Sequence, residues 1–167
     1  MPLFAHVGIG LAGKRFDPEK SPLALVTAAM LLDFLLVIPF IIFMIAGLPT
    51  AGASPWTHSV LMGSVISGIT FIAVFLYERR KNDNNNDCLK AATLMGVLVL
   101  SHLVADIIGW PMDLDGLYPN PSGIPFAFDT KYTVGLGLYR SLIVAVIVDL
   151  SVLIIGIAIY IHTKKNS

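Results

Sequence analysis

Charge is scarce in this chain. Asp, Glu, Lys and Arg make up only 13% of its 167 residues, about half of what soluble domains carry. The 11 basic and 11 acidic residues cancel, which removes the electrostatic case for a nucleic-acid partner. Cysteine is nearly absent too. Cys88 stands alone, so no internal disulfide forms, and beside a polar loop it needs no role beyond packing. No basic residue precedes the first apolar stretch, so no removable signal peptide is expected. There is no internal repeat, and the length suits one domain.

What the chain has is apolar surface: 56% hydrophobic residues and a mean hydropathy of +0.79. A helix crosses a bilayer core with roughly 20 apolar residues. Four stretches reach that length, at about 23–47, 56–77, 89–110 and 138–161. The expectation is an all-α polytopic membrane protein forming one integral membrane domain over 1–167. A short N-terminal apolar helix within 1–13 would lie in the interface or re-enter the bundle, since it is too short to cross. Ser21-Pro22 and Ser54-Pro55 read as N-caps followed by Pro at the first helical position. Trp56, Tyr77, Trp110, Tyr139 and Tyr160 fall at the ends of the stretches, as interfacial aromatics do.

The basic residues set an orientation. Lys14, Arg15, Lys20, Arg79, Arg80, Lys81, Lys90, Lys164 and Lys165 fall on one side, Lys131 and Arg140 on the other. The positive-inside rule then puts both termini in the cytoplasm. The 78–87 connector is polar and solvated. The outer loop, 111–137, is rich in Pro, Gly and aromatic residues and is expected to cover the outer end of the bundle.

Into this apolar background the sequence sets His102 and Asp106, one helical turn apart. Asp33 interrupts the first stretch, His58 opens the second, and His6 lies near the N-terminus. Ionisable groups inside a membrane are costly and mark functional sites. Imidazole and carboxylate suit a divalent metal, zinc or manganese ahead of magnesium. His58, His102 and Asp106 are the candidate ligands. Asp33 is a ligand or general base, so that Asp33 and Asp106 are the catalytic carboxylates, and His6 joins if its segment dips into the bundle. His58 is expected in the first turn of its helix, where the dipole keeps the ring neutral, with Thr57 and Ser59 as supporting hydrogen-bond donors. Lys131 and Arg140 are candidate anion-binding residues for a substrate.

Plainer readings stand beside these. His102 and Asp106 alone equally fit a hydrogen bond between helices, Asp33 a protonated side chain, and His6 a structural imidazole. His162 belongs to the solvated tail. Asp149 has no partner on its own helix, with Arg140 nine residues away. Depth also argues against convergence. In straight helices Asp33 sits about 15 Å deep, His102 about 20 Å, Asp106 about 25 Å and His58 about 30 Å. His6 would rise to about 12 Å. Ligands 2.0–2.2 Å from one ion cannot span that range. A kink at Pro39 is the expected relief.

His6 followed by Gly8, Gly10 and Gly13, the acidic Asp33, Thr57-His58-Ser59, His102-x-x-x-Asp106 and Gly135-Leu-Gly-Leu-Tyr-Arg-Ser141 together resemble the YdjM/YbcI-like family of membrane-bound metal-dependent hydrolases. The likeness covers most of the chain. It implies a multi-pass protein of the cell inner membrane with metal ligands at His58, His102, Asp106, Asp33 and His6. Two departures are plain: Leu32-Asp33-Phe34-Leu35 lacks the Pro before the acid and the second Asp, and Ala53-Ser54-Pro55-Trp56 replaces a His-Arg-Gly.

Three functions remain open on these residues. One is a metal-dependent hydrolase acting on a lipid-type ester or phosphoester, with membrane lipid or a small molecule as partner and no fixed oligomeric state. Another is a small transporter or proton- or cation-coupled permease in which Asp33, His102, Asp106 and Asp149 form a relay, which requires Asp149 to face the same cavity as His102. A third is a scaffold whose polar residues lock helices together.

Overall fold

The computed structural model describes residues 3–48, 55–111, 123–128 and 132–166. They are mostly helical: α1 (Leu3–Ala12), a 3₁₀ turn (Gly13–Arg15), α2 (Pro22–Ala29), α3 (Leu31–Ile45), α4 (Pro55–His58), α5 (Val60–Arg79), α6 (Asn85–Gly109) and α7 (Leu142–Lys165). The all-α expectation needs one amendment. Two-residue strands β1 (Ile124–Pro125) and β2 (Thr133–Val134) pair antiparallel in the outer loop.

Three helices, α5, α6 and α7, are long and apolar enough to cross a membrane, and α2 with α3 makes a fourth if the bent pair is one span. That pair departs from the continuous 23–47 helix expected. The chain turns by 54° at Met30, which leaves helical geometry at φ −104°, ψ 7°. Pro39, the expected site of the kink, lies inside α3. The second stretch is also interrupted. Ser59 is extended at φ −91°, ψ 155°, and its hydroxyl caps α5 by accepting from Met62 N at 3.2 Å. His58 therefore ends a four-residue turn before the long helix, not within the helix's first turn, and Ser59 serves the backbone rather than His58. The third and fourth stretches are displaced along the sequence: α6 starts earlier, at Asn85 behind an Asn84 cap, and α7 starts later, at Leu142 after a 3₁₀ turn over 138–140.

The core surrounds α6, the most buried of the long helices. Leu25, Ala28, Ala29 and Leu32 pack on Leu94, Leu98, Val99 and Leu103. On the opposite side α5 approaches α6 closely, with Gly63 against the Leu103 side chain and Ser67 Oγ donating to Gly96 O at 2.8 Å. Small residues allow such approach where lipid gives no hydrophobic drive. The α1–α7 contact is closer still. A Cβ on Gly156 would fall 2.1 Å from Gly8 O, and one on Gly8 would fall 2.5 Å from Val152 O. A Cβ on Gly10 would strike Val26 of α2 at 2.6 Å. Two glycines of the His6 segment thus fit α1 between α2 and α7.

Helix α1 begins beside the middle of α7. Asp149, seven residues into α7, accepts from Ala5 N at 2.6 Å and Phe4 N at 3.3 Å. Backbone N–H groups at a helix start have no partner within the helix. In hydrocarbon, with no water, each needs an acceptor, and Asp149 supplies it from another helix. Each of its two carboxylate oxygens accepts one of these N–H groups.

Candidate metal centre

The five polar residues that straight helices would keep apart come together. His6 arrives on α1 with side chain fully buried, Asp33 in the first turn of α3, His58 at the end of α4, and His102 and Asp106 on the inward face of α6. The turn at Met30 and the break at Ser59 bring Asp33 and His58 to the level of α6.

Four donor atoms point at one another. His58 Nε2 lies 3.3 Å from His102 Nε2, 3.2 Å from Asp33 Oδ1 and 3.7 Å from Asp106 Oδ2. His102 Nε2 lies 3.6 Å from Asp33 Oδ1 and 3.4 Å from Asp106 Oδ2. Tetrahedral coordination with bonds of about 2.1 Å places ligand atoms about 3.4 Å from each other. The five separations are close to five of the six edges of such a tetrahedron.

The outer atoms of the two imidazoles are tied down. His102 Nδ1 is 2.8 Å from Ala29 O. A carbonyl only accepts, so Nδ1 carries the proton and a neutral ring presents a lone pair at Nε2. This carbonyl is available because of the turn at Met30: among the described residues no helical bond runs from Asp33 N to Ala29 O. His58 Nδ1 is 2.7 Å from Thr57 Oγ1. That hydroxyl accepts or donates, so His58 can aim either N–H or a lone pair at Asp33 while its other nitrogen stays satisfied.

His6 sits beside this group. Its ring stacks on His102 with centroids 3.7 Å apart and planes at 9°. Its Nε2 is 3.8 Å from the second oxygen of Asp106, too long for a hydrogen bond. Two overlapping sets, His58/His102/Asp106 and His6/Asp33/His102, each bring ligand atoms within 4.8 Å of one another and could hold a metal ion.

Satisfaction of the buried groups supports that capacity. His6 and Asp106 are completely buried, yet neither ring nitrogen of His6 and neither oxygen of Asp106 has a hydrogen-bond partner. A buried carboxylate without donors is strongly disfavoured. Two ionised carboxylates with three neutral imidazoles carry a formal charge of −2, which a divalent cation cancels.

Asp33 is the one part-open member, its side chain 17% exposed. The β1–β2 hairpin and its flanks rest on α4 and α5. Leu61 N donates to Phe126 O at 3.0 Å, Trp56 contacts the Phe128 ring, and Ile124 is buried in the core. Behind it, Leu136 N and Gly137 N donate to Ile107 O and Trp110 O at the end of α6. The described part of the 111–137 loop is thus packed against α4, α5 and the end of α6.

The anion-binding candidates do not join the cluster. Lys131 lies outside the described residues. Arg140 is exposed, its side chain lies over Gly137, and it makes no ion pair with Asp33 or Asp106 among the described residues. Sequence reasoning overlooked the Ala29 carbonyl, because a backbone acceptor has no residue signature. In comparisons with known proteins, no family model, no curated protein and no solved structure matches the chain.

Proposed function

We propose that this chain is an integral membrane metal-dependent hydrolase whose His/Asp centre lies within the bundle, a divergent relative of the YdjM/YbcI-like family. One observation carries the reading: His58, His102 and Asp106 set three buried ligand atoms 3.3–3.7 Å apart, next to the part-open Asp33 and around a carboxylate with no hydrogen-bond partner. In this reading four crossings, with α2 and α3 as one bent span, surround a re-entrant α1. The basic side, bearing Lys14 and Lys90, faces the cytoplasm of a cell whose inner membrane holds the protein.

The residues divide the work by position. His58, His102 and Asp106 hold a divalent ion, zinc or manganese by the chemistry of the donors. When bound, that ion supplies Lewis-acid polarisation and acidifies water. Asp33 faces the opening and takes a proton from the attacking water as general base. His6 stacks on His102 and faces the second oxygen of Asp106, fixing both. Because Asp33 is part-open and the helices around it are apolar enough to cross a membrane, the substrate class that fits is a lipid-type ester or phosphoester.

Metal analysis of the purified full chain tests this first. The expected result is one equivalent in the wild type and loss in His102→Ala and Asp106→Ala. Absence of stoichiometric metal from the wild type after zinc and manganese supplementation overturns the proposal. Hydrolysis of ester- and phosphodiester-containing lipids by wild type but not by Asp33→Asn, with metal retained in the variant, tests the assignment of the base.

A further inference from the structure

A different feature occupies the half of the bundle nearer Lys14. A groove of about 720 Å³ runs between α1 and α6, walled by Ile9, Ala12 and Phe16 on one side and by Leu89, Val97 and Leu98 on the other. It contains none of the His/Asp residues. From Asn86 at one end to Ser101 at the other, α6 rises about 22 Å. One leaflet of hydrocarbon is about 15 Å deep, half the bilayer core, so the groove has room for a full acyl chain. A second groove of about 340 Å³ shares Ala12 and Phe16 and runs along α7 beside Ala158 and Ile159. Phe16, largely exposed, forms the ridge between them.

The charged side chains that line these grooves are of one sign, for Asp17 and Glu19 lie in the adjoining turn but outside both linings. Glu78 is paired with Lys20 at 2.5 Å, Lys14 donates to the Lys20 carbonyl, and Asp87 is bonded to the Asn84 amide at 2.9 Å. Lys90, at the rim of the larger groove, makes no ion pair or hydrogen bond among the described residues. Arg15 lies at the rim of the smaller one with His162. Basic pockets between spans on the cytoplasmic side suit anionic lipid head groups.

We infer that the paired grooves bind one anionic diacyl phospholipid of the leaflet on the Lys14 side. One chain lies between α1 and α6, the other beside α7, and the head group meets Lys90 and Arg15. The site is separate from the metal centre and does not depend on its chemistry.

Native mass spectrometry of the detergent-purified full chain, with dioleoyl phosphatidylglycerol or dioleoyl phosphatidylcholine added, tests this. The wild type is expected to retain one phosphatidylglycerol in preference to phosphatidylcholine. One basic residue near the surface is worth about fivefold in such binding, so the charge reversal Lys90→Glu is expected to lower retention about thirtyfold. Thr93→Trp, on the lipid-facing lining, should fill the larger groove and abolish retention. Both variants are expected to keep the wild-type metal content, which separates a failure here from a failure of the metal centre. Equal retention of the two lipids by the wild type, or undiminished phosphatidylglycerol retention in either variant, overturns the inference.

Discussion

Asp106 and Asp149 are both carboxylates within apolar, membrane-length helices, and their surroundings differ sharply. Asp149 accepts two backbone N–H groups from α1. Asp106 is fully buried among three imidazoles and accepts none. A buried charge whose hydrogen bonds are complete is part of the framework. One that has imidazole nitrogens 3.4–3.8 Å away and no hydrogen bond from any of them has the setting of a metal ligand. The same side chain type thus serves as structure in one region and as a candidate ligand in the other.

The comparison can be broken experimentally. The largest effect is expected at His102: its replacement by Ala removes a donor and the Ala29 tether, and metal affinity should fall more than about 100-fold, read by competition with a chromogenic chelator. Next, chelation should lower the melting temperature of the wild type, since saturation at 100 times Kd is worth about 2.7 kcal/mol. Asp106→Leu should be insensitive to chelator and melt no lower than the metal-free wild type, because it removes an uncompensated buried charge. If Asp106→Leu instead destabilises the chelated protein, Asp106 belongs to the framework like Asp149.

Asp149→Ala should cost about 3 kcal/mol whether or not metal is present, by stranding two N–H groups. Asp149→Asn keeps an acceptor and should recover much of that loss in a thermal melt. Thr57→Val should weaken metal binding by about tenfold with little change in metal-free stability, as expected when a ligand's outer hydrogen bond is lost. The smallest effect is Ser59→Ala, about 1 kcal/mol from the cap of α5. A larger metal defect there than in Thr57→Val would mean that the break at Ser59, rather than the His58 hydrogen bond, controls the centre.

Much of the architecture was legible from residue types. Three long apolar runs read as spans because 20 such residues in a row admit little else. His58, His102, Asp106, Asp33 and His6 stood out because ionisable groups are rare in that setting. What could not be read was how they meet. The turn at Met30 carries no Pro or Gly next to it, and it is supported by His102, 73 residues away, which takes the Ala29 carbonyl. The break at Ser59 looked like a continuing helix because Pro55 begins only one turn before it. Asp149 looked unpartnered because its partners are backbone amides, present at almost every residue and so silent in sequence. Depth arithmetic on straight helices failed for the same reason.

The Asp149 contact also joins segments that lie far apart in the sequence. Helix α1 precedes α7 by more than a hundred residues, yet the groups that cap it, and Gly156 that receives Gly8, belong to α7. The seat of α1 is thus built from both ends of the sequence: Val26 of α2 receives Gly10, and α7 receives Gly8 and the first amides. Without α7 the amides of Phe4 and Ala5 would lose their acceptor, so the seating of His6 beside His102 rests on a contact made 144 residues along the chain.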